Sequence, residues 1–161
     1  MPSSVNHGAS VRIYSDEQRR RRDETVWTKV QGVLAPIQFA AFAVSLVLVL
    51  RFVATGAGYE AATASILVKT ALLLTIMVTG AIWEKVVFGQ YLFAPAFFWE
   101  DVVSFAVIAL HLFYVWVLLT GRLGPDGQML VALAAYAAYV INAGQFLLKF
   151  RAARVGARAP A

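Results

Sequence analysis

Four ionisable side chains of this 161-residue sequence stand where they could move protons: Glu84, Glu100, Asp101 and His111. Fourteen uncharged residues, Val86 to Trp99, separate Glu84 and Lys85 from Glu100 and Asp101. Trp83, Phe88, Tyr91, Phe93, Phe97, Phe98 and Trp99 fall in the same stretch, seven of the chain's 21 aromatics. Acids beside so dense an aromatic surface suit a flat, apolar ligand to which a proton is added. Composition alone favours an interfacial aromatic belt flanked by charged helix ends. The elements that position these residues must decide between the two.

The setting is a membrane. With 60% hydrophobic and 14% charged residues, the chain carries more apolar surface than one water-soluble core can hide. The apolar runs predict an all-α polytopic membrane protein with four transmembrane helices, spanning about 33–55, 61–87, 100–120 and 128–150. At 1.5 Å per residue the first rises about 34 Å, enough to cross a hydrocarbon core of about 30 Å. These spans form a single domain over 16–154, between a polar, disordered tail at 1–15 and a second tail at 155–161. Ser15 ahead of Asp16 and Glu17 predicts a short amphipathic, basic helix through Arg19–Arg22 toward Trp27. A full-length span after the arginines reads against a cleavable signal peptide. Pro36 is expected in the opening turn of the first span, and Gly124, Pro125, Asp126 and Gly127 in a turn before the fourth.

Polar residues within the spans predict how the helices face one another. Gln31, Gln38 and Ser45 recur every seven residues and should face other helices. Lys69, eight residues into its span, is expected to snorkel to the interface; it shares a face with Glu84, about 60° apart, but too distant to pair. Gly80 leaves room for a helix or a ligand plane. Ser104 and His111 lie near the direction of Glu100, with Asp101 about 100° away. His111 is either a neutral histidine bonded to a neighbouring helix or a ligand for a metal or a proton. Tyr136, Tyr139, Asn142 and Gln145 give the last span a polar side that bonds other spans or lines a cavity.

Eleven cations (Arg12, Arg19–Arg22, Lys29, Lys85, Lys149, Arg151, Arg154 and Arg158) fall on one side of four spans, against Arg51 and Arg122 on the other. Both termini and the Glu84–Asp101 connection are therefore expected in the cytoplasm, the connection as a re-entrant or interfacial loop broken by Gly89 and Pro95. The net charge of +5 is accounted for by orientation in the lipid bilayer, so no nucleic-acid partner is expected. Without cysteine there is no thiolate metal site. His7 lies in the tail, leaving one membrane imidazole where a bis-histidine haem needs two. Paired Glu-x-x-His motifs for a di-iron centre and nucleotide fingerprints are absent.

Three blocks carry a family resemblance: IYSDEQRRRRDETVWTKVQGVLAPIQF, KTALLLTIMVTGAIWEKVVFGQYLFAPAFFWEDVVSF and AAYAAYVINAGQFLLKFRAAR. From about Ile13 to Arg154 the sequence resembles the 2-vinyl bacteriochlorophyllide hydratase family of bacteriochlorophyll biosynthesis. The resemblance implies a hydro-lyase of the bacterial inner membrane that adds water across the C3 vinyl group of a magnesium chlorophyllide, giving a 1-hydroxyethyl product without a cofactor. Other enzymes of that pathway are then conceivable partners. From residue type, Glu84 or Glu100 is the candidate proton donor and Asp101 the water-positioning base. Trp83, Phe97 and Trp99 are candidate ring contacts, and His111 a candidate ligand to the substrate's magnesium. A non-catalytic pigment-binding protein or a small proton-coupled transporter is the alternative from the residues alone.

Overall fold

The computed structural model describes residues 12–158, so His7, most of the first expected tail and residues 159–161 of the second lie outside the described residues, while 155–158 continue the last helix. Five helices follow in order: α1 (Asp16–Glu24), α2 (Val26–Thr55), α3 (Tyr59–Phe88), α4 (Phe98–Thr120) and α5 (Pro125–Arg158). The last four are long and apolar enough to cross a membrane, which makes this a multi-pass, all-helical membrane protein.

Local chemistry sets the helix ends. A capping box starts α1: Ser15 Oγ accepts the Gln18 N–H at 3.2 Å, and Gln18 Oε1 accepts the Ser15 N–H at 2.9 Å. Its sequence, DEQRRRRDE, contains no apolar residue, so the expected amphipathic character is supplied by the flanking Tyr14 and Trp27. Thr25 ends α1 and caps α2 by accepting the Trp27 N–H. Because that cap lies well outside the apolar run, α2 begins earlier than the span itself, and Pro36 sits in the helix interior instead of its opening turn. Gly56, Gly89 and Gly121 close α2, α3 and α4 in the left-handed conformation. Pro125 opens α5, so Asp126 and Gly127 belong to its first turn; a proline suits this position because its missing N–H would have no helical partner.

Helix α2 packs along α3 and α4 along α5, forming two hairpins. They close on each other near the Gly56 and Gly121 turns, around Phe42, Val49, Ile66, Val107, Tyr114, Met129 and Tyr136. Ser45 ties this layer by hydroxyl contacts to Ser65 at 2.7 Å and Tyr136 at 2.5 Å. Farther along α2, Gln31 Nε2 donates to Thr79 Oγ1 at 2.7 Å. Gln31 and Ser45 of the polar stripe thus bond other helices as the spacing predicts, whereas Gln38 between them lines the cavity and its buried amide has no hydrogen-bond partner among the described residues.

Lys69 does not snorkel. It is fully buried, with Nζ 3.7 Å from the Tyr139 ring centroid, 5.5 Å from that of Tyr136 and 5.9 Å from that of Phe42. Helix α3 starts at Tyr59 and carries Lys69 almost three turns inward, where Nζ has no hydrogen-bond partner among the described residues and lies against aromatic faces of α2 and α5. At the other end of the bundle, Tyr14, Trp83, Val87 and Phe97 form a second buried cluster, and there the hairpins part around a cavity.

Candidate functional site

The cavity has a volume of about 1430 Å³. Drug-sized ligands occupy about 300–1,000 Å³, so this space suits a larger body. All four membrane helices contribute to its wall. Gly32, Pro36 and Phe39 come from α2, Leu73, Met77 and Gly80 from α3, Ile108 from α4, and Tyr139, Ala143 and Phe146 from α5. At Gly80 an added Cβ would meet Gln31 Oε1 at 3.5 Å, an ordinary van der Waals contact, so the expected room at this position is slight. The acids in the wall are Glu84 and Asp101, accompanied by Trp83, Phe97, Ser104 and Asn142.

Glu84 lies one turn before the end of α3 and Asp101 in the first turn of α4, and their carboxyl groups lie within hydrogen-bonding reach of each other. Both are buried, 5% and 3% exposed. The connection between their helices folds back under them. Phe93 N–H donates to Asp101 Oδ2 at 2.7 Å, and the next N–H, that of Ala94, donates to Glu84 Oε2 at 3.3 Å. Phe93 adopts φ 58, a left-handed conformation that costs a bulky residue about 1 kcal/mol or more. The strain aims two successive peptide donors at two acids. Stacking of Phe93 on Phe105, 5.5 Å between centroids and 14° from parallel, helps to hold it.

Glu100 is buried too, but it does not line the cavity. Its carboxylate takes Lys149 Nζ at 2.9 Å, and the same ammonium bonds the Ala96 carbonyl. Asn142 Nδ2 and Ser104 Oγ both donate to the Glu100 carbonyl, at 2.9 and 2.8 Å. Glu100 is thereby a clamp joining α4, α5 and the connection. Sequence reasoning missed Lys149, counted there only for orientation, since nothing local marks a partner so remote in the chain. It also missed the peptide donors of Phe93 and Ala94, which only the folded connection reveals.

The candidate ring contacts separate. Trp83 and Phe97 meet edge to face at 5.7 Å and both line the cavity, with Trp83 Nε1 donating to Thr28 Oγ1 at 2.9 Å. Trp99 is 68% exposed and lies outside the lining. His111 is buried deeper in the bundle, ten residues along α4 from Asp101 and therefore about 15 Å away along the axis. Its Nδ1–H donates to the Val107 carbonyl at 2.8 Å, leaving Nε2 without a partner, and it too is outside the lining. Among the described residues, no three His, Cys, Asp or Glu side chains gather as a metal site.

Tyr14 roofs this end of the bundle. It is buried, stacks on Phe88 at 5.8 Å and carries the Arg22 guanidinium 4.8 Å above its ring. Burial pushes its hydroxyl pKa up to about 12.

Fold and site together define a helical membrane protein with a half-open, largely apolar cavity bordered by a pair of buried acids. The model of the 2-vinyl bacteriochlorophyllide hydratase family matches residues 14–152, and the chain belongs to that family. A 2-vinyl bacteriochlorophyllide hydratase of Rhodobacter capsulatus is 68% identical over 158 residues, covering 98% of this chain and 91% of the relative. One of Cereibacter sphaeroides is 72% identical over 145 residues, 89% of each chain. No solved structure matches significantly.

Proposed function

We propose that this chain is a hydro-lyase that adds water to the vinyl substituent of a bacteriochlorophyllide-type macrocycle held in the cavity between its hairpins. Family membership supports the reaction. The observation that carries the site is the Glu84–Asp101 pair, buried in the wall of the cavity beside Trp83 and Phe97. The finer substrate is a magnesium chlorophyllide with a C3 vinyl group, the magnesium arriving as part of the substrate.

A hydrogen bond between two carboxyl groups needs a proton on one of them. The short Phe93 N–H contact favours the charge on Asp101, which places the proton on Glu84. Glu84 donates it to the terminal vinyl carbon, and the macrocycle delocalises the cation formed at the inner carbon. Water attacks that carbon and gives a proton to Asp101, closing the 1-hydroxyethyl group. Transfer of this proton from Asp101 to Glu84 restores the starting state, so one water is consumed and no net charge moves. Trp83 and Phe97 supply faces against which the ring can lie.

Family membership supports an inner-membrane location, and the cation count supports placing both termini and the Gly89–Phe97 connection on the cytoplasmic side, around one membrane domain over 16–154. Since the chain has no cysteine, single cysteines at Ser4, Gln90 and Ala159 would report this by labelling from that side. Ser4 and Ala159 lie outside the described residues; Gln90 is exposed.

Activity is tested with purified protein, a vinyl chlorophyllide and oxygen-labelled water, under anaerobic conditions without nicotinamide. The expected product carries the label and absorbs at shorter red wavelength, because vinyl conjugation is lost. A strict requirement for dioxygen or a nicotinamide would overturn the mechanism.

A further inference from the structure

We propose that Arg19, Arg151 and Arg154, flanked by Arg22, form an anion site at the mouth of the cavity that takes a free carboxylate arm of the macrocycle. This deepens the chlorophyllide reading and rests on it, since a chlorophyllide is the free acid of its pigment.

The run Arg19–Arg22 is sorted by structure into two sets. Glu17 draws Arg20 and Arg21 to itself, each at 3.0 Å, and neither lines the cavity. Arg19 and Arg22, three apart and so on a shared side of α1, do line it. The capping box at Ser15 and the buried Tyr14 hold α1 in that orientation. From the other side, α5 has 34 residues and rises about 51 Å, well beyond a hydrocarbon core of about 30 Å. Its last turns overhang the membrane and bring Arg151 and Arg154, again three apart, to the same cavity.

Arg151 and Arg154 are exposed and Arg19 and Arg22 half-buried, as suits a mouth; membrane orientation asks only that cations lie on one side, not that they border a cavity. Arg22 is paired with Asp23 at 2.7 Å, whereas among the described residues Arg19, Arg151 and Arg154 have no ion-pair partner. The acids in the lining are Glu84 and Asp101, which face each other. A large apolar cavity with unpaired guanidinium groups at its mouth selects a ligand that is mostly apolar and locally anionic. With its carboxylate arm on the arginines, the macrocycle lays its ring on the apolar wall of Phe39, Leu73, Met77 and Phe146.

The test uses the full chain in phosphatidylcholine nanodiscs and reads pigment binding by absorbance, for a chlorophyllide and for its uncharged methyl ester. The wild type is expected to bind the acid about 10- to 100-fold more tightly, the range for a charge-assisted hydrogen bond. Double variants Arg19→Gln/Arg151→Gln and Arg19→Gln/Arg154→Gln should lose this preference while keeping ester affinity, which also verifies an intact cavity. Arg19→Lys should retain part of it. Equal binding of acid and ester by the wild type, or variants that weaken both alike, overturns the proposal. If the arginines hold lipid phosphate instead, the variants lose only retention of added phosphatidylglycerol, with acid and ester bound equally by the wild type. Acid preference without hydration would reject the hydratase reading and keep the anion site. Hydration of acid and ester with the same KM would do the reverse.

Discussion

Glu84 and Asp101 approach each other from the two ends of one connection, and consecutive peptide groups of that connection, Phe93 and Ala94, hold one acid each. The pair is thus built as a unit. Neither carboxyl reaches its place unless α3 ends, the connection turns back and α4 begins in the correct rotation.

The isosteric amides test that unit directly. Glu84→Gln cannot supply a carboxylic proton and Asp101→Asn cannot accept one from water, so each should slow turnover by roughly 10²–10⁴-fold while chlorophyllide still binds. Single-turnover rates with pigment binding measured in parallel check this. Near wild-type hydration by both variants would remove the pair from the chemistry.

Glu100→Gln should behave differently. Losing the charge partner of Lys149 is expected to cost about 1–3 kcal/mol of stability and to leave turnover within about tenfold of wild type. Thermal unfolding in detergent and the hydration rate separate these effects. A loss of turnover as deep as that of Glu84→Gln, in a protein of unchanged stability, would return Glu100 to the candidate acids.

How much of this was readable from the sequence depended on locality. The four spans and the aromatic stretch between two acidic positions are local patterns, and they survive in the structure. Whether Glu100 or Asp101 faces Glu84 was not readable, because the two point about 100° apart and the choice lies in the rotation of α4. Asn142 and Lys149 set that rotation through contacts with Glu100, and both come from α5. Lys69 was misplaced for a related reason. Distance from a helix end suggests snorkelling, but only the packing of Phe42, Tyr136 and Tyr139 shows the rings that enclose it.

Lys69→Met therefore makes a useful contrast. The ammonium group has no hydrogen-bond partner and sits outside the cavity lining, so a long apolar replacement should raise stability by about 1–3 kcal/mol with hydration retained. Chemical or thermal unfolding measures the first and product formation the second. Loss of turnover in a stable Lys69→Met protein would give the lysine a part in the reaction.

Tyr14 predicts an alkaline limit. Its folded pKa of about 12 stands above the ordinary value of 10.0, so folding favours the neutral phenol. Its contribution is complete below about pH 10 and is lost as pH rises through about 12, amounting to about 2–3 kcal/mol. Stability measured across this range should fall in the wild type and fall less in Tyr14→Phe. Identical alkaline profiles would show that the hydroxyl does not govern the change.

The connection Gly89–Phe97 is the one covalent bridge between the hairpins whose separation makes the cavity. Any change in the spread of the hairpins is therefore felt by the two peptide groups that hold Glu84 and Asp101. The distance between these acids is thus tied to the width of the cavity they border.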